Sequence, residues 1–391
     1  MNAPATRTFE HCKIWVEEGA EVTVVTCAPN FPAGKVFKGY RNRLRQTEWM
    51  SGIKVVRVWS YITPNVGFAK RIADYLSFAL SAFIAGLTEK PDVIIATSPQ
   101  FFTTLAGYGL SLAKRRPWIF ELRDLWPESI AAVGAMKRGR LVRWLEKLEL
   151  FLYRKADRII AVTPAFRANL IERGVAANKI GVVTNGVDKT LFEPSPKDGL
   201  LCEQLALNDK FVVGYIGTHG MAHGLEFILR SLSKLNTQDI HFLFIGDGAE
   251  KKKLLEIREQ FAITNVSFVD SVTKNEVARY LSVLDVALVP LRRSETFKTV
   301  IPSKIFEAAA MRKPILLGVD GQAREIIESY GAGLYFEPEN QEAFLRQLKR
   351  LATDKGLYQE LQSGCDDLAA AYDRKALALD MLATISQLRT Q

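Results

Sequence analysis

Residues 211–232 read FVVGYIGTHGMAHGLEFILRSL, and this stretch decides the class of fold. The β-branched and aromatic run Phe211–Ile216 predicts a strand, the glycines after it predict a tight turn, and a helix is expected to begin near Ala222. A strand that leads through a glycine turn into a helix can hold phosphate on backbone N–H groups. Because the spacing matches neither G-x-G-x-x-G nor a Walker loop, the dinucleotide and P-loop interpretations are weak.

The same alternation of strands and helices continues in both directions along the chain. Strand-like runs occupy residues 21–27, 53–59, 92–97, 117–122, 157–162 and 180–183, and again 211–216, 240–245, 266–269, 285–289 and 314–317. Helical periods fill most of the intervals, an order that predicts parallel sheets with helices on both faces. A polar, Pro-rich stretch at 185–210 separates the two series. We therefore predict an α/β protein of two doubly wound domains, residues 1–190 and 191–371, that face each other across a cleft.

The first domain lacks the strand with which such a domain normally opens. Pro4 precedes a helical run over about residues 6–18, so the chain begins in what reads as the turn and the helix. The first strand of a doubly wound domain becomes central in the sheet, and its absence leaves buried backbone groups without partners. Two explanations stay open: the natural chain starts upstream of residue 1, or neighbouring strands close the gap. We expect the first.

Composition narrows the class of protein. The 391 residues are 48% apolar and 24% charged, which excludes collagenous and disordered chains. The best candidate for a membrane span, residues 72–87, is too short and carries Asp74, and residues 1–7 do not resemble a signal peptide. The four cysteines lie far apart with no C-x-x-C pair, so neither a disulfide framework nor a structural zinc site is indicated. We expect a cytoplasmic protein.

Positive charge is concentrated in the N-terminal part of the chain. Residues 1–190 carry 28 Lys and Arg against 16 Asp and Glu, whereas the remainder is mildly acidic. Within residues 137–158 basic side chains flank an apolar helical stripe, which is typical of a core-facing helix and also suits anionic lipid headgroups. No basic segment is interleaved with stacking aromatics, so no nucleic-acid partner is predicted. A peripheral contact with an anionic membrane is expected.

Residues 299–311 (TVIPSKIFEAAAM) place a lysine at the start of a helix. Pro302 suits the first helical position, and Lys304 then lies against the positive end of the helix dipole. That placement is unfavourable unless an anion docks there, where an ammonium and free N–H groups cooperate. Ser303 and Glu307 are expected to lie on the same side of this helix as Lys304. The alternative interpretation is a surface pair between Lys304 and Glu307.

His219 and His223 lie in the glycine turn with H-x-x-x-H spacing. Two such histidines can bind zinc, but the intervening glycines and the lack of a nearby third ligand argue against a metal. Hydrogen bonding to phosphate or sugar and simple packing both stay open. Gly246 and Asp247 follow the run 240–245 and predict a second tight turn. The structural interpretation is that the glycine permits the backbone shape of the turn and that Asp247 caps the helix after it.

Residues 120–128 (FELRDLWPE) end a strand of the first domain, where ligands approach open α/β sheets. Arg123 supplies a fork of hydrogen-bond donors, and Asp124 is placed to act as a base or to orient an acceptor hydroxyl. A buried structural Arg–Asp turn is the alternative.

Taken in order, these motifs resemble glycosyltransferase family 4, a GT-B group of nucleotide-sugar enzymes. The resemblance spans almost the whole chain and rests on GAEVTVVT (19–26), TNGVD (184–188), IGDG (245–248), DVALVP (285–290) and PSKIFEA (302–308). The strings FPAGKV (31–36), RDLWPES (123–129) and GTHGMAHGL (217–225) resemble the L-fucosamine transferases of O-antigen and exopolysaccharide clusters. The resemblance implies two Rossmann-like domains with the sugar donor in the second, a final helix over 372–391 that crosses back to the first, and transfer that needs neither metal nor cofactor.

The resemblance also implies roles for single residues. Glu307 matches the second glutamate of the family's E-x-x-x-x-x-x-x-E motif, which is expected at the donor ribose, whereas Thr299 stands in place of the first. His219 and His223 stand where many members carry Arg and Lys. Because positive charge is lost there, we expect Lys304 to supply it beside the diphosphate.

The predicted function is transfer of a sugar from a UDP-sugar to a lipid-linked oligosaccharide in surface polysaccharide biosynthesis, at the inner face of the cell membrane. N-acetyl-L-fucosamine is the sugar that the resemblance indicates. Arg123 occupies the position where the family often has a histidine close to the donor sugar and phosphate. The predicted catalytic residues are Arg123, Asp124 and His219, and the predicted donor-binding residues are Gly217, Thr218, His223, Gly246, Asp247, Thr299, Ser303, Lys304 and Glu307. A UDP-sugar epimerase of the same fold and a non-catalytic partner subunit stay open as alternatives.

Overall fold

The chain divides into two compact units. The computed structural model describes residues 3–30, 34–63, 68–98, 100–125, 139–235, 237 and 239–389. The first unit comprises residues 1–184 and 375–391, and the second comprises Asn185–Arg374. The sequence predicted boundaries near 190 and 371. The observed boundaries instead follow Thr184 and Arg374. Val187 pairs with Asp373 in an isolated parallel bridge, and this attaches residues 185–190 to the second unit.

The elements alternate along both units. The helices are α1 (Ala3–Glu17), α2 (Phe68–Gly86), α3 (Phe101–Lys114), α4 (Arg140–Lys155), α5 (Pro164–Glu172), α6 (Gly199–Gln204), α7 (Leu225–Leu232), α8 (Lys251–Gln260), α9 (Lys274–Ser282), α10 (Lys304–Ala310), α11 (Gln322–Tyr330), α12 (Gln341–Thr353), α13 (Lys355–Ala371) and α14 (Arg374–Arg389). The strands are β1 (Thr23–Cys27), β2 (Arg45–Met50), β3 (Ile53–Val58), β4 (Ile94–Thr97), β5 (Trp118–Leu122), β6 (Arg158–Ala161), β7 (Ile180–Val182), β8 (Phe211–Ile216), β9 (Ile240–Ile245), β10 (Val266–Val269), β11 (Val286–Pro290), β12 (Ile315–Gly318) and β13 (Gly333–Tyr335).

The second unit is a doubly wound domain. Its six parallel strands lie in the order β10-β9-β8-β11-β12-β13. The chain therefore moves outward from β8 in one direction, returns, and moves outward from β11 in the other. The ends of β8 and β11 mark the point where the strand order reverses, which is where ligands bind open α/β sheets. The glycine turn after β8 lies at that point.

The first unit contains two separate sheets. One has the order β1-β3-β2, with β2 antiparallel to β3, and the other is the parallel series β4-β5-β6-β7. Among the described residues β1 pairs only with β3 and β4 only with β5, so neighbouring strands do not close the gap. Strand β2 was not predicted, because its residues RQTEWM are only half-covered and lack a β-branched run.

Helices tie the two sheets together. On one face α2 packs against both, since Phe78 and Ala82 cluster with Val56 of β3 while Ala79 clusters with Ile94 of β4. On the other face α1 and α14 share a core with residues of β3, β5 and β6. The Trp15 indole of α1 donates a hydrogen bond of 2.8 Å to the Ala378 carbonyl of α14. Within the described residues, no helix combines the length and the apolar character needed to cross a bilayer.

A buried ion pair joins α1 to β5. The Arg7 guanidinium donates to the Glu121 carboxylate at 2.9 Å and to the carbonyl oxygens of Val183 and Thr184 at 2.8 and 2.5 Å. Burial alone would raise the pKa of Glu121, but Arg7 and Arg123 outweigh it and hold that pKa below its ordinary value. Arg7 therefore satisfies a buried carboxylate and two chain carbonyls at once.

Arg7→Met is expected to lower the free energy of unfolding of the first unit by about 3–5 kcal/mol, because Glu121 would keep a buried charge without its partner. Urea titration with a probe in the first unit measures the loss. Lys13→Met is the matched control on the same helix, since Lys13 pairs with Glu17 on the exposed face and such pairs contribute about 0.5 kcal/mol or less. Equal losses for the two variants would contradict this role of Arg7.

Candidate functional site

Two loops of the second unit meet beyond the carboxyl ends of β8 and β9. The backbone N–H of Gly217 donates to the Ile245 carbonyl, and that of His219 donates to the Asp247 carbonyl, both at 2.9 Å. A Cβ atom on Gly246 would lie 1.9 Å from the Gly217 carbonyl oxygen, and one on Gly248 would lie 2.5 Å from that of His219. The glycines are therefore required for the two loops to approach each other.

The ammonium of Lys304 enters this arrangement from the start of α10. Its Nζ lies 3.9 Å from the centroid of the Tyr215 ring, within the range of a cation–π contact. A Cβ atom on Gly217 would lie 2.8 Å from the same Nζ. Burial lowers the pKa of Lys304 to about 7, although Glu307 acts in the opposite direction. Within the described residues no carboxylate lies at salt-bridge distance from Nζ, so the proposed surface pair with Glu307 is not formed.

Both histidines of the turn are held neutral. Burial, assisted by the nearby lysines, lowers the pKa of His219 and of His223 to about 4. His219 is fully buried, and neither of its ring nitrogens has a hydrogen-bond partner among the described residues. The ring centroids of His219 and His223 lie 5.9 and 5.8 Å from that of Tyr215. Tyr215 thus contacts the lysine and both histidines.

Two helix starts differ from the predicted ones. The helix expected near Ala222 begins at Leu225, after a 3₁₀ turn at Met221–His223, because Gly224 adopts a left-handed conformation with φ of 60°. The helix expected from Pro302 begins at Lys304, with Ser303 as the flanking residue. Lys304 remains in the first turn, as predicted.

The other predicted donor residues lie on the same loops or on α10. The Thr218 carbonyl accepts a hydrogen bond of 2.7 Å from the Tyr215 hydroxyl. The Asp247 carboxylate accepts from the backbone N–H of Gly248 at 2.8 Å, whereas α8 begins only after Glu250. Asp247 is therefore not the helix cap that the sequence indicated. Ser303 is exposed and Glu307 half-buried.

Thr299 lies at the end of a 3₁₀ turn, Glu295–Thr299, and its hydroxyl donates to the Thr296 carbonyl at 3.0 Å. This local bond explains how a threonine is accommodated at that position. The side chain of the neighbouring Lys298 is 43% exposed and pairs with Glu295 at 2.8 Å.

Arg123 and Asp124 belong to the first unit. They follow β5, and their backbone N–H groups donate to the buried hydroxyl of Ser98 at 2.8 and 3.3 Å. Burial and the nearby Arg7 lower the pKa of Arg123, while Glu121 raises it. The remainder of the motif, residues 126–129, lies outside the described residues, as do 31–33 of FPAGKV.

Four residues of these arrangements were not predicted from the sequence: Tyr215, Arg7, Glu121 and Ser98. Tyr215 reads as one more apolar residue of a buried strand, and only the structure shows that its ring supports Lys304. The signal for Arg7 was a charged residue on the buried face of an amphipathic helix, which periodicity alone makes visible. Ser98 and Glu121 carry no local signal, because their partners are distant in sequence.

A cavity of about 20 Å³ adjoins the site, lined by Lys304, Glu307 and apolar residues of β8, β11 and α9. It has room for about one water molecule. The described residues contain no cluster of three or more His, Cys, Asp or Glu side chains arranged for a metal. The chemistry available at this site is recognition of an anion by an ammonium, neutral imidazoles and backbone N–H groups.

Comparison with known proteins agrees with this arrangement of domains. Residues 2–186 match the family described as glycosyl transferase 4-like domain, and residues 210–354 match glycosyl transferases group 1. The chain is 23% identical over 345 residues to WcaI of Escherichia coli (strain K12), which is named as a colanic acid biosynthesis glycosyl transferase. That similarity covers 85% of this chain and 84% of WcaI.

Solved structures share the fold. Sucrose-phosphate synthase from Thermosynechococcus elongatus superposes with a TM-score of 0.78 at 17% identity, covering 99% of this chain and 94% of that one. Anabaena HepE, solved in complex with UDP and glucose, superposes with a TM-score of 0.67 at 19% identity and covers 86% of this chain and 87% of its own. The architecture is that of the GT-B enzymes. Residues 2–186 thus match a glycosyl transferase 4-like domain and residues 210–354 a glycosyl transferases group 1 domain, and these matches support a glycosyltransferase enzyme.

Gly246→Ala is expected to lower the free energy of unfolding of the second unit by about 2–4 kcal/mol, since it adds a backbone clash to the strain of a positive φ. Gly331→Ala is the control, because Gly331 also has a positive φ but nothing lies within 4 Å of its Cβ position. Its cost should be about 1 kcal/mol. Thermal and urea unfolding measure both variants, and equal costs would argue against close contact of the two loops.

Lys304→Met is expected to flatten the pH dependence of stability. The folded chain holds the pKa of Lys304 near 7, below its ordinary value of 10.5. Between these values the unfolded chain binds a proton that the folded chain does not, so this residue makes stability rise with pH across that window. The variant should lose at least about 1 kcal/mol of that rise, equivalent to roughly one pKa unit.

Urea unfolding at pH 7 and pH 10 measures the change. Lys298→Met serves as the control, because Lys298 is exposed and its pKa is raised by Glu295. A pH slope that stays the same in Lys304→Met would contradict the buried position of the ammonium.

Proposed function

We propose that this glycosyltransferase transfers a sugar from a UDP-sugar to a lipid-linked oligosaccharide during synthesis of a surface polysaccharide. The observation that carries the proposal is the Lys304 ammonium, held over Tyr215 beside the glycine turn that follows β8. A cation that is poorly solvated, and that forms no ion pair with a carboxylate among the described residues, favours an anionic ligand. A nucleoside diphosphate carries two negatively charged phosphates. The ends of β8 and β11, where the strand order reverses, are where open α/β sheets bind such ligands.

The relatives support the substrate class. WcaI is named for colanic acid biosynthesis, which agrees with a role in polysaccharide synthesis. HepE, which shares the fold, was solved with UDP and glucose. N-acetyl-L-fucosamine remains the proposed sugar, on the motif resemblance alone.

In the proposed reaction the bond between the anomeric carbon and the diphosphate oxygen breaks while a bond to the acceptor hydroxyl oxygen forms. Protonated Lys304 and backbone N–H groups of the glycine turn stabilise the charge that develops on the leaving diphosphate. Neutral His219 and His223 each offer one N–H donor to phosphate or sugar oxygens. Arg123 is proposed to act near the donor sugar and phosphate, and Asp124 is proposed to take the proton of the acceptor hydroxyl. Glu307 is proposed to bind the ribose.

The acceptor is proposed to reside in the inner face of the cell membrane. Helix α4 supports this placement, because Arg140, Arg143, Lys147, Arg154 and Lys155 are all exposed on it. Each basic side chain near an anionic surface contributes about 1 kcal/mol of attraction.

Lys304→Met is expected to weaken binding of UDP-sugar about 10- to 100-fold, which corresponds to loss of one charge-assisted contact to phosphate. Isothermal titration calorimetry at pH 7 measures it for the intact chain. Lys298→Met, which removes an exposed lysine from the preceding turn, should change affinity less than about threefold.

Comparable losses in the two variants would refute the role of Lys304. Tighter binding of GDP- or dTDP-sugars than of UDP-sugars in the same titrations would refute the proposed nucleotide. Isomerisation of UDP-sugar in the absence of acceptor would instead indicate an epimerase.

A further inference from the structure

Helix α2 exposes an apolar stripe along its whole length. Leu76, Leu80 and Ile84 are 47, 61 and 57% exposed, and Leu87 continues the stripe just beyond the helix end. Ala73 is also exposed one turn earlier. Because these positions are three or four residues apart, they lie on one side of the helix. The opposite side, with Phe78, Ala79 and Ala82, is buried on the two sheets of the first unit.

Neighbouring helices extend this surface. Helix α3 lies beside α2, where the Lys114 ammonium donates to the Leu87 carbonyl. It also meets α4, where the rings of Tyr108 and Phe151 lie 5.7 Å apart in an edge-to-face contact. Leu112 of α3 and Trp144 and Phe151 of α4 are exposed. We call the exposed side of α2, α3 and α4 the three-helix surface. A folded domain that exposes neighbouring apolar side chains on three helices commonly uses them as an interaction site.

The charge around the three-helix surface is strongly positive. Residues 68–116 and 139–158 carry twelve Lys and Arg but only six Asp and Glu. Of the acidic residues, Asp74 is held by the Ser60 hydroxyl, and Glu89 pairs with Arg45 and Lys54. The exposed cations are Lys70, Lys90, Arg115, Arg116, Arg140, Arg143, Lys147, Arg154 and Lys155.

We propose that the three-helix surface inserts into the headgroup boundary of an anionic bilayer, with the leucine and isoleucine side chains of α2 reaching the acyl chains. Apolar side chains in the middle and cations around them match the layered chemistry of such a bilayer. A second copy of this chain is a poorer occupant, because it would bring two positively charged rims together. The inference rests on the proposed function, because insertion would bring the enzyme to its lipid-linked acceptor.

The insertion requires apolar contact, not charge alone. A surface held only by its lysines and arginines would bind anionic vesicles equally well after the stripe was made polar. Insertion instead predicts that both the apolar stripe and the anionic lipid are needed.

Flotation of the intact chain on vesicles tests this. The vesicles are phosphatidylcholine alone and a three-to-one mixture of phosphatidylcholine and phosphatidylglycerol. Wild type is expected to float only with the mixture. The variant Leu76→Ser/Leu80→Ser/Ile84→Ser should reduce the bound fraction on the mixture by about tenfold or more, given the apolar area removed. The control Ile171→Ser/Leu200→Ser/Phe261→Ser, which also replaces exposed apolar residues, should float as wild type does.

A second variant acts in the opposite direction and does not threaten the fold. Ala73→Leu adds an apolar side chain to the exposed stripe and should increase flotation on the mixture. Unchanged flotation in both α2 variants would overturn the inference, and so would a wild-type dimer in solution that the triple serine variant dissociates.

Binding of UDP-sugar, followed by calorimetry in the same samples, separates this inference from the proposed function. Normal sugar-donor binding without flotation of the wild type would overturn membrane insertion alone. Flotation without any nucleotide-sugar binding would overturn the proposed function and leave the membrane contact standing.

Discussion

A lysine ammonium that is only partly solvated is the constraint on which the second unit's site depends. Lys304 begins α10, where the helix dipole opposes a positive charge, and burial lowers its pKa to about 7. The Tyr215 ring gives it a cation–π contact but cannot replace a full hydration shell. A site of this kind is costly to the apo protein and becomes favourable once an anion is bound. The two histidines are neutral and therefore add no further positive charge beside this ammonium.

Backbone shape makes this arrangement attainable. The loops after β8 and β9 touch at Gly217, Gly246 and Gly248, and side chains at the latter two positions would overlap chain atoms. Their contact buries His219 and brings the turn against the Lys304 ammonium. The same glycine pattern in a sequence can thus be explained by close packing of two loops as well as by phosphate binding.

The two sheets of the first unit are held together by helices and by one buried ion pair. They are not hydrogen-bonded to each other among the described residues, and helices α1, α2 and α14 hold them together. Arg7 adds a polar link, because one guanidinium satisfies Glu121 and two carbonyls. Helix α2 consequently has two tasks: its buried side spans both sheets, and its outer side carries leucines that no described element covers.

Much of this protein was predictable from sequence. Runs of β-branched residues predicted most strands of both sheet systems and the Rossmann-like order, because the alternation of strand and helix constrains topology. The motif around residues 302–308 placed Lys304 in the first turn of a helix, as the structure has it, and its role as an anion ligand stays a prediction. Short or half-exposed strands such as β2 and β13 gave too little signal. Tyr215 beneath the lysine and the Arg7–Glu121 pair were decided by tertiary structure alone. Each depends on groups far apart in the chain, and local propensity carries no information about which distant groups will share a buried space.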